Sequence, residues 1–548
     1  MAERQRVSPQ MRTAEILDFL RNAPGVFLTN NERDLSQSDF MCRIMPQTTL
    51  KVAPYRDATG YFAFEIFGGA TVHMDLMKKQ VNPFEKLRLV RKAMPNTLIQ
   101  GLCRGKNLFG YRPYPDNVVE MTVRLLSKYI DVWRMYDFLN YIPNLVVAAN
   151  AVKEAGKLLM PCICFSTGSE HTDDYYAKKV EEVLSLLGEN IILCIKNHSA
   201  LGSPARIASL VCAIRKRFPE LLLCYHGHNT DGNDLARLVA AVQEGVKIVE
   251  VSDHGYGGIY SQAPALTAIQ NLNDYGFKTP GLSIPPILDA SDILQRERRL
   301  YEAFTGPFHG FDPTVKRHKL PGGALSLAME QAEKAGLLER THDLLNEVIE
   351  VRKELGNIWV VTPGSQILWS TAMSNVLNGR YEKPSDDLKR LLLGRYGPFP
   401  FYDPPEWILK KVLESGRTDG KSWREILIEE GGLQDIADED LKARRLLLES
   451  KLKRPATNEE LCLYVQFPRD ALDFIQFEER FGQTWLLPPE VWFHKGGFAD
   501  GARISFADEA GKTHNIDLIS TRKTADGVQT SFLVDYHFQS YKTKKGSE

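Results

Sequence analysis

Two histidines spaced two apart, His226 and His228, follow an unbroken apolar run, Leu221-Leu222-Leu223-Cys224-Tyr225. On an extended strand residues i and i+2 share a face, so both imidazoles project the same way. Zinc, manganese and cobalt accept such a clamp. The competing reading is a pair of polar residues at a strand–loop junction. The position after a buried strand, followed by Asn229-Thr230-Asp231-Gly232, favours the metal. A second run, Ile191–Ile195, ends in Lys196-Asn197-His198. A lysine at the end of a buried strand is an ion-pair partner, a Schiff-base amine or a carbamylated ligand.

The elements around these residues must bring them together. A helical pattern, Pro204–Arg217, separates the two runs, which makes a β-α-β unit with parallel strands. Further strand-like runs lie at Val26–Thr29, Tyr61–Phe67, Thr97–Cys103, Val132–Tyr136, Leu158–Phe165 and Lys247–Val251. Helical patterns separate most of them, for example Pro83–Ala93, Asn117–Lys128, Tyr175–Leu187 and Asp234–Glu244. Eight strands alternating with helices predict an α/β fold, a (β/α)8 TIM barrel, over residues 25–320. A lead-in helix is expected within residues 1–24. Residues 321–455 read as a helical extension, with amphipathic stretches at Ala324–Ala335, Thr341–Leu355 and Glu439–Leu452. Residues 456–548 read as a C-terminal α+β module with short strands at Ala502–Phe506, Thr513–Ser520 and Gln529–Tyr536. The charged tail, Lys542–Glu548, is expected to fray.

In a parallel barrel, chemistry sits at the carboxyl ends of the strands. Strand one offers Arg33, Asp34 and Gln37; strand three Arg104; strand four Asp137 and Asn140; strands six and seven Lys196, His226 and His228. Asp34 is a candidate third metal ligand, since a carboxylate complements two imidazoles. Arg33 and Arg104 at the same mouth could grip a carboxylate through paired hydrogen bonds.

Composition narrows the class. With 43% hydrophobic and 25% charged residues and a net charge of −1, the 548-residue chain gives no reason to expect nucleic acid or an anionic membrane as partner. No apolar run approaches the roughly 20 residues of a membrane span. The polar segment Met1–Arg12 lacks a signal-peptide core, and the eight cysteines, several within apolar strands, read as thiols in a reducing cytoplasm. Cys162 and Cys164 read as buried strand residues rather than a metal pair.

Several ordered segments resemble the carboxyltransferase component of pyruvate carboxylase and its relatives, oxaloacetate decarboxylase and transcarboxylase. Arg33-Asp34-Leu35-Ser36-Gln37-Ser38 resembles that family's R-D-A-H-Q-S, and Phe64–Ala70 its E-x-W-G-G-A, with Pro83–Arg88 resembling the helix that follows. Arg104–Tyr111 resembles R-G-Q-N-L-V-G-Y, Phe138-Leu139-Asn140 sits in a D-x-L-N-like motif, Lys196 occupies the lysine of I-K-D-M-A-G, and His318–Gly323 resembles H-x-x-P-G-G. The resemblance implies a divalent metal held by Asp34, His226, His228 and a carbamylated Lys196. It implies a 2-oxo acid such as pyruvate or oxaloacetate held by Arg33, Gln37 and Arg104, with Tyr111 near a biotin pocket. The implied reaction is enolisation beside the metal, then carboxyl transfer to or from carboxybiotin.

Departures from the pattern cluster around the substrate. Lys196-Asn197-His198 replaces K-D-M, so a supporting carboxylate is expected to be missing. His226-Gly227-His228-Asn229 replaces H-x-H-D, and Ser36 replaces a histidine. Tyr260 stands where the family has a proton-carrying threonine, with Ser261 as a substitute. No A-M-K-M biotin-attachment segment and no ATP-binding carboxylase segment is found, which implies a separate biotin carboxylase and a separate carrier protein. The resemblance also implies that the C-terminal module, residues 456–548, mediates assembly, so a homo-oligomer, dimer or tetramer, is expected. Two other readings are a metal-dependent lyase or condensing enzyme of the hydroxymethylglutaryl-CoA lyase-like barrels, which H-x-H-N suits, and a non-catalytic scaffold subunit.

Overall fold

A computed structural model describes residues 6–305, 310–433, 436–481, 483 and 485, and the C-terminal segments 503–507, 513–524, 527–534 and 537–544. The chain divides into two compact units, Met1–Ile475 and Gln476–Glu548.

In the first unit all eight apolar runs form strands: β1 (Phe27–Asn31), β2 (Ala63–Gly68), β3 (Leu98–Cys103), β4 (Val132–Met135), β5 (Leu158–Cys164), β6 (Ile192–Asn197), β7 (Leu222–Gly227) and β8 (Ile248–Val251). They pair in sequence order, all parallel, and β8 returns to β1 to close a barrel. Every residue of β6 and β7 is buried, as expected of strands covered on one face by helices and on the other by the barrel interior. The two strands that carry Lys196 and His226 run further than the apolar pattern. β6 continues to Asn197 and β7 through His226 to Gly227, with Lys196 opposite His226 in register. Both residues therefore sit on rigid sheet rather than on the loops beyond it.

Helices α1 (Thr13–Asn22) and α2 (Glu32–Asp39) flank β1. Helix α1 buries Ile16, Leu17 and Leu20. The polar segment after β1, which has no apolar stripe, is helical because Asn31 caps it: its side chain accepts the Asp34 amide at 2.9 Å. Between β6 and β7, helix α3 (Pro204–Arg217) starts on Ser203, whose hydroxyl accepts the Arg206 amide. It buries Ile207, Leu210, Val211 and Ile214, an i, i+3, i+4, i+7 stripe facing the sheet. Each such side chain contributes about 1.5–3 kcal/mol of burial.

The amphipathic stretches beyond the barrel are helices Gly322–Lys334, Thr341–Glu354 and Leu441–Leu452. The first two belong to a larger helical region that shares a core with Phe138 and Leu139 of the barrel mouth through Leu320, Leu344, Trp359 and Leu368, whereas Leu448 and Leu452 of the third join the core of the barrel and its outer helices. Helix Asn458–Gln466, which the sequence assigns to the C-terminal module, packs on the barrel. The Gln466 carbonyl accepts the Tyr114 hydroxyl, and Cys462 lies against Thr122. Among the described residues no helix is long and apolar enough to cross a membrane.

The second unit holds four antiparallel strands, β9 (Arg503–Ala507), β10 (Thr513–Thr524), β11 (Gly527–Val534) and β12 (His537–Lys544), in the order β12-β11-β10-β9. Three match expected strands, while Ala502, Asp535 and Tyr536 lie outside the described residues. The fourth corrects the expectation for the tail: Lys542–Lys544 pair with Gly527–Gln529 instead of fraying.

Candidate active site

Asp34 on α2 and His226 and His228 at the end of β7 meet at the barrel mouth. Asp34 Oδ2 stands 3.1 Å from His226 Nε2 and 3.1 Å from His228 Nε2. All three side chains are buried. His228 Nδ1 lies 2.7 Å from the Tyr260 carbonyl, which can only accept, so the proton is on Nδ1 and the lone pair on Nε2. His226 Nδ1 lies 2.6 Å from Glu250 Oε2 and 2.7 Å from Arg134 Nη1; since Arg134 Nη1 also donates to Glu250 Oε2, the carboxylate takes both protons and the same tautomer follows. Two imidazole lone pairs and a carboxylate oxygen thus face one another, an arrangement that repels itself unless a cation or proton lies between. The donor set fits a borderline divalent ion, and among the described residues this is the group of three that could hold one. Burial alone would raise the Asp34 carboxyl, but the neighbouring Arg33 guanidinium opposes it, and the carboxyl is held well below the usual range.

Lys196 Nζ lies 3.1 Å from His226 Nε2, beside the cluster. Burial, followed by repulsion from Arg134, lowers the basicity of its amine, although Asp34 opposes this. An amine poised toward the neutral form is a nucleophile.

Beneath the cluster a layer of charge fills the barrel. Arg134 on β4 donates to Glu65 Oε1 at 2.8 Å and to Glu250 Oε2 at 2.6 Å. Gln100 on β3 donates to Glu65 at 2.7 Å and to Glu250 at 2.9 Å, and Asn31 donates to Glu250 at 2.6 Å. Arg33 reaches Glu65 from above at 2.8 Å. Burial would raise Glu250, yet Arg134 and His226 hold it far below the usual carboxylate range. Reading strand ends alone missed this layer. The available signal was a charged or amide residue inside an otherwise apolar run, as in Phe64-Glu65-Ile66, Trp133-Arg134-Met135 and Val249-Glu250-Val251. The layer also corrects the expected loss of a supporting carboxylate. Asn197 turns away, bonding the Leu201 backbone and the Tyr225 hydroxyl, and Glu250 braces His226.

The residues expected to hold a carboxylate lie around the same mouth. Arg33 donates to Asp34 at 3.1 Å and to Gln37 Oε1 at 3.2 Å. Arg104, after β3, donates to the Phe109 and Gly110 carbonyls at 3.0 Å each and lies over the Tyr111 ring at 5.6 Å. Asp137 and Asn140 hold the backbone. Asp137 accepts the Leu139 and Tyr141 amides, and Asn140 pairs with both backbone groups of Cys164. Burial raises Asp137 to about 6. Cys162, Cys164, Cys194 and Cys224 are free thiols inside the strands, as expected.

The loop after β8 carries Tyr260 and Ser261. Its anchor is Asp39, the last residue of α2, which accepts the Tyr260 amide at 2.8 Å, the Ser261 amide at 3.3 Å and the Ser261 hydroxyl at 2.5 Å. The Ser261 hydroxyl is thereby committed to Asp39. Asn229 braces the same loop, donating to the Gly258 carbonyl at 2.6 Å and accepting the Asp234 amide. Gln262 Nε2 reaches Asp34 Oδ2 at 3.3 Å.

The chain matches a conserved carboxylase domain over residues 315–517. It is 32% identical to one of the pyruvate carboxylase subunits of Methanocaldococcus jannaschii over 390 residues, 70% of this chain and 67% of that one. It is 30% identical to the 2-oxoglutarate carboxylase large subunit of Hydrogenobacter thermophilus over 458 residues, 82% and 68% of the two chains. The fold superposes on the carboxyl transferase domain of Rhizobium etli pyruvate carboxylase solved with 3-bromopyruvate, with a TM-score of 0.86 and 27% identity over 97% of this chain and 90% of that one. It spans less than half the length of longer pyruvate carboxylases, 44% and 46% for two of them.

Proposed function

The chain belongs to the carboxyltransferase family of pyruvate carboxylase and its relatives, and from that premise we propose that it moves a carboxyl group between biotin on a separate carrier protein and a 2-oxo acid such as pyruvate or oxaloacetate. The observation that carries the reading is the convergence of Asp34 Oδ2, His226 Nε2 and His228 Nε2 at 3.1 Å, with Lys196 beside them. These residues would hold zinc, manganese or cobalt, which would polarise the 2-oxo oxygen so that the adjacent carbon loses a proton.

The remaining work falls to the chain's own side chains. Arg33, Gln37 and Arg104 hold the substrate carboxylate and place positive charge where the enolate oxygen develops, in a buried site where such charge counts most. Lys196, as the neutral amine, would add carbon dioxide and release a proton, and the resulting carbamate would offer the metal an anionic oxygen. Carboxylation removes one proton from the substrate carbon and leaves one on the biotin ring nitrogen. We assign its transfer to the Tyr260 hydroxyl. Ser261, bound to Asp39, positions that loop. Tyr111, beside Arg104, faces the biotin side.

Two relatives are named as single subunits of larger carboxylases, one of them a large subunit, which supports a separate carboxylase and carrier. We place the protein in the cytoplasm, where its eight free thiols are stable, as a homo-oligomer, dimer or tetramer. The test is decarboxylation of oxaloacetate by the purified protein with and without free biotin, repeated across a panel of 2-oxo acids. Biotin-dependent turnover that falls by a factor of about 10²–10³ in Lys196→Ala is expected. Absence of biotin-dependent turnover on every acid would overturn the reading.

A further inference from the structure

A cavity of about 440 Å³ opens beyond the carboxyl end of β5, the neighbour of the strand that carries Lys196. The loop Thr167–Glu170 forms one wall; Lys319, Arg352 and Asn357 from the helical region form the other. Both cations are more than nine-tenths buried, Lys319 and Arg352 each at 7% exposure.

Neither has an acidic partner among the described residues. Lys319 donates only to the Thr167 carbonyl and, at 3.4 Å, to the Ser166 hydroxyl. Arg352 Nε is buried with no hydrogen-bond partner. Glu170 attracts both from a distance without pairing with either. Two buried cations facing one cavity with no paired carboxylate are costly, because each has lost water and Glu170 offsets their charge only from a distance.

We propose that this cavity is a binding site for a small oxyanion, a phosphate or a carboxylate, gripped between Lys319 and Arg352. The size suits a small ligand, and the guanidinium offers the planar fork that both anions match. The neighbourhood records the uncompensated positive charge. Burial, then Arg352, lowers Lys319 to about 7. His171, packed against Trp359 and Phe401 behind the loop, is pushed down to about 3 by burial, with Lys319 and Arg352 adding to it. Lys353, which also lines the cavity, is already paired with Glu350 at 2.8 Å.

Isothermal titration calorimetry of the full chain with inorganic phosphate, and separately with succinate, tests the site. Saturable binding of at least one of them is expected, weakened at least about tenfold in Lys319→Met and in Arg352→Met. Phosphate alone, succinate alone or both would identify the oxyanion, and each supports the site. No saturable heat with either anion, or affinity unchanged in both variants, would overturn it. Thermal unfolding in anion-free buffer gives a second reading. Arg352→Met should melt at or above the wild-type temperature, since it removes an unpaired buried charge; a clear drop would mean that Arg352 already has a structural partner, and would also overturn the proposal.

Discussion

Glu250 Oε2 lies 2.6 Å from His226 Nδ1, on the side of the ring away from Asp34. The contact fixes the tautomer, aims Nε2 at the mouth and makes the imidazole a better donor. Glu250→Gln should therefore weaken divalent-metal affinity about 10- to 100-fold while leaving the fold intact. Competition against a fluorescent chelator measures this; unchanged affinity would show that the carboxylate does not tune the site.

Arg134 is fully buried between Glu65 and Glu250. Its loss leaves two carboxylates in the barrel with Gln100, Asn31, Arg33 and His226 as their remaining partners. Arg134→Met should cost about 3–5 kcal/mol of stability, read from denaturant unfolding. A cost under about 1 kcal/mol would mean that the layer reorganises around the gap.

The Asp39 anchor gives a pH dependence with a definite sign. Burial lifts its carboxyl from the ordinary 3.8 to about 6, against the hydrogen bonds from Ser261 and Tyr260. The folded state then binds more protons than the unfolded state across that window, so this group's contribution is greatest below the lower value and is lost as pH rises through the upper one. Asp39→Asn removes that loss. The stability of the variant minus that of wild type should climb by up to about 3 kcal/mol between about pH 4 and about pH 6.5, measured by urea unfolding. A flat difference would contradict the burial argument.

Gly322 opens the helix Gly322–Lys334, and a Cβ there would fall onto the Tyr260 ring, within 2.5 Å of its Cβ and Cγ. Those atoms sit at the root of the side chain and cannot swing aside. Gly322→Ala should displace Tyr260, costing about 1–3 kcal/mol of stability, with a fall in biotin-dependent turnover larger than any change in metal content. Unaltered turnover would argue against Tyr260 as the proton carrier.

The barrel was legible because strands buried on both faces must be apolar along their length, and eight such runs leave few closed topologies. The meeting of Asp34 with His226 and His228 followed from the same rule, since parallel strands bring their carboxyl ends to one mouth. Glu65, Arg134 and Glu250 were not legible by that rule. They lie inside the runs, and their charges are tolerable only through partners on strands far apart in sequence. Asp39 was hidden for another reason: its helix is held by the Asn31 cap and tertiary contacts, without an amphipathic stripe to announce it. Ser261 looked like a reactive hydroxyl in sequence and is spent on Asp39 in the fold.

The metal content of the purified protein tests the central claim most directly. Mass-spectrometric metal analysis should find about one divalent ion per chain, lost in the double variant His226→Ala, His228→Ala together with biotin-dependent turnover. Full turnover from a wild-type preparation stripped of divalent metal would contradict the account.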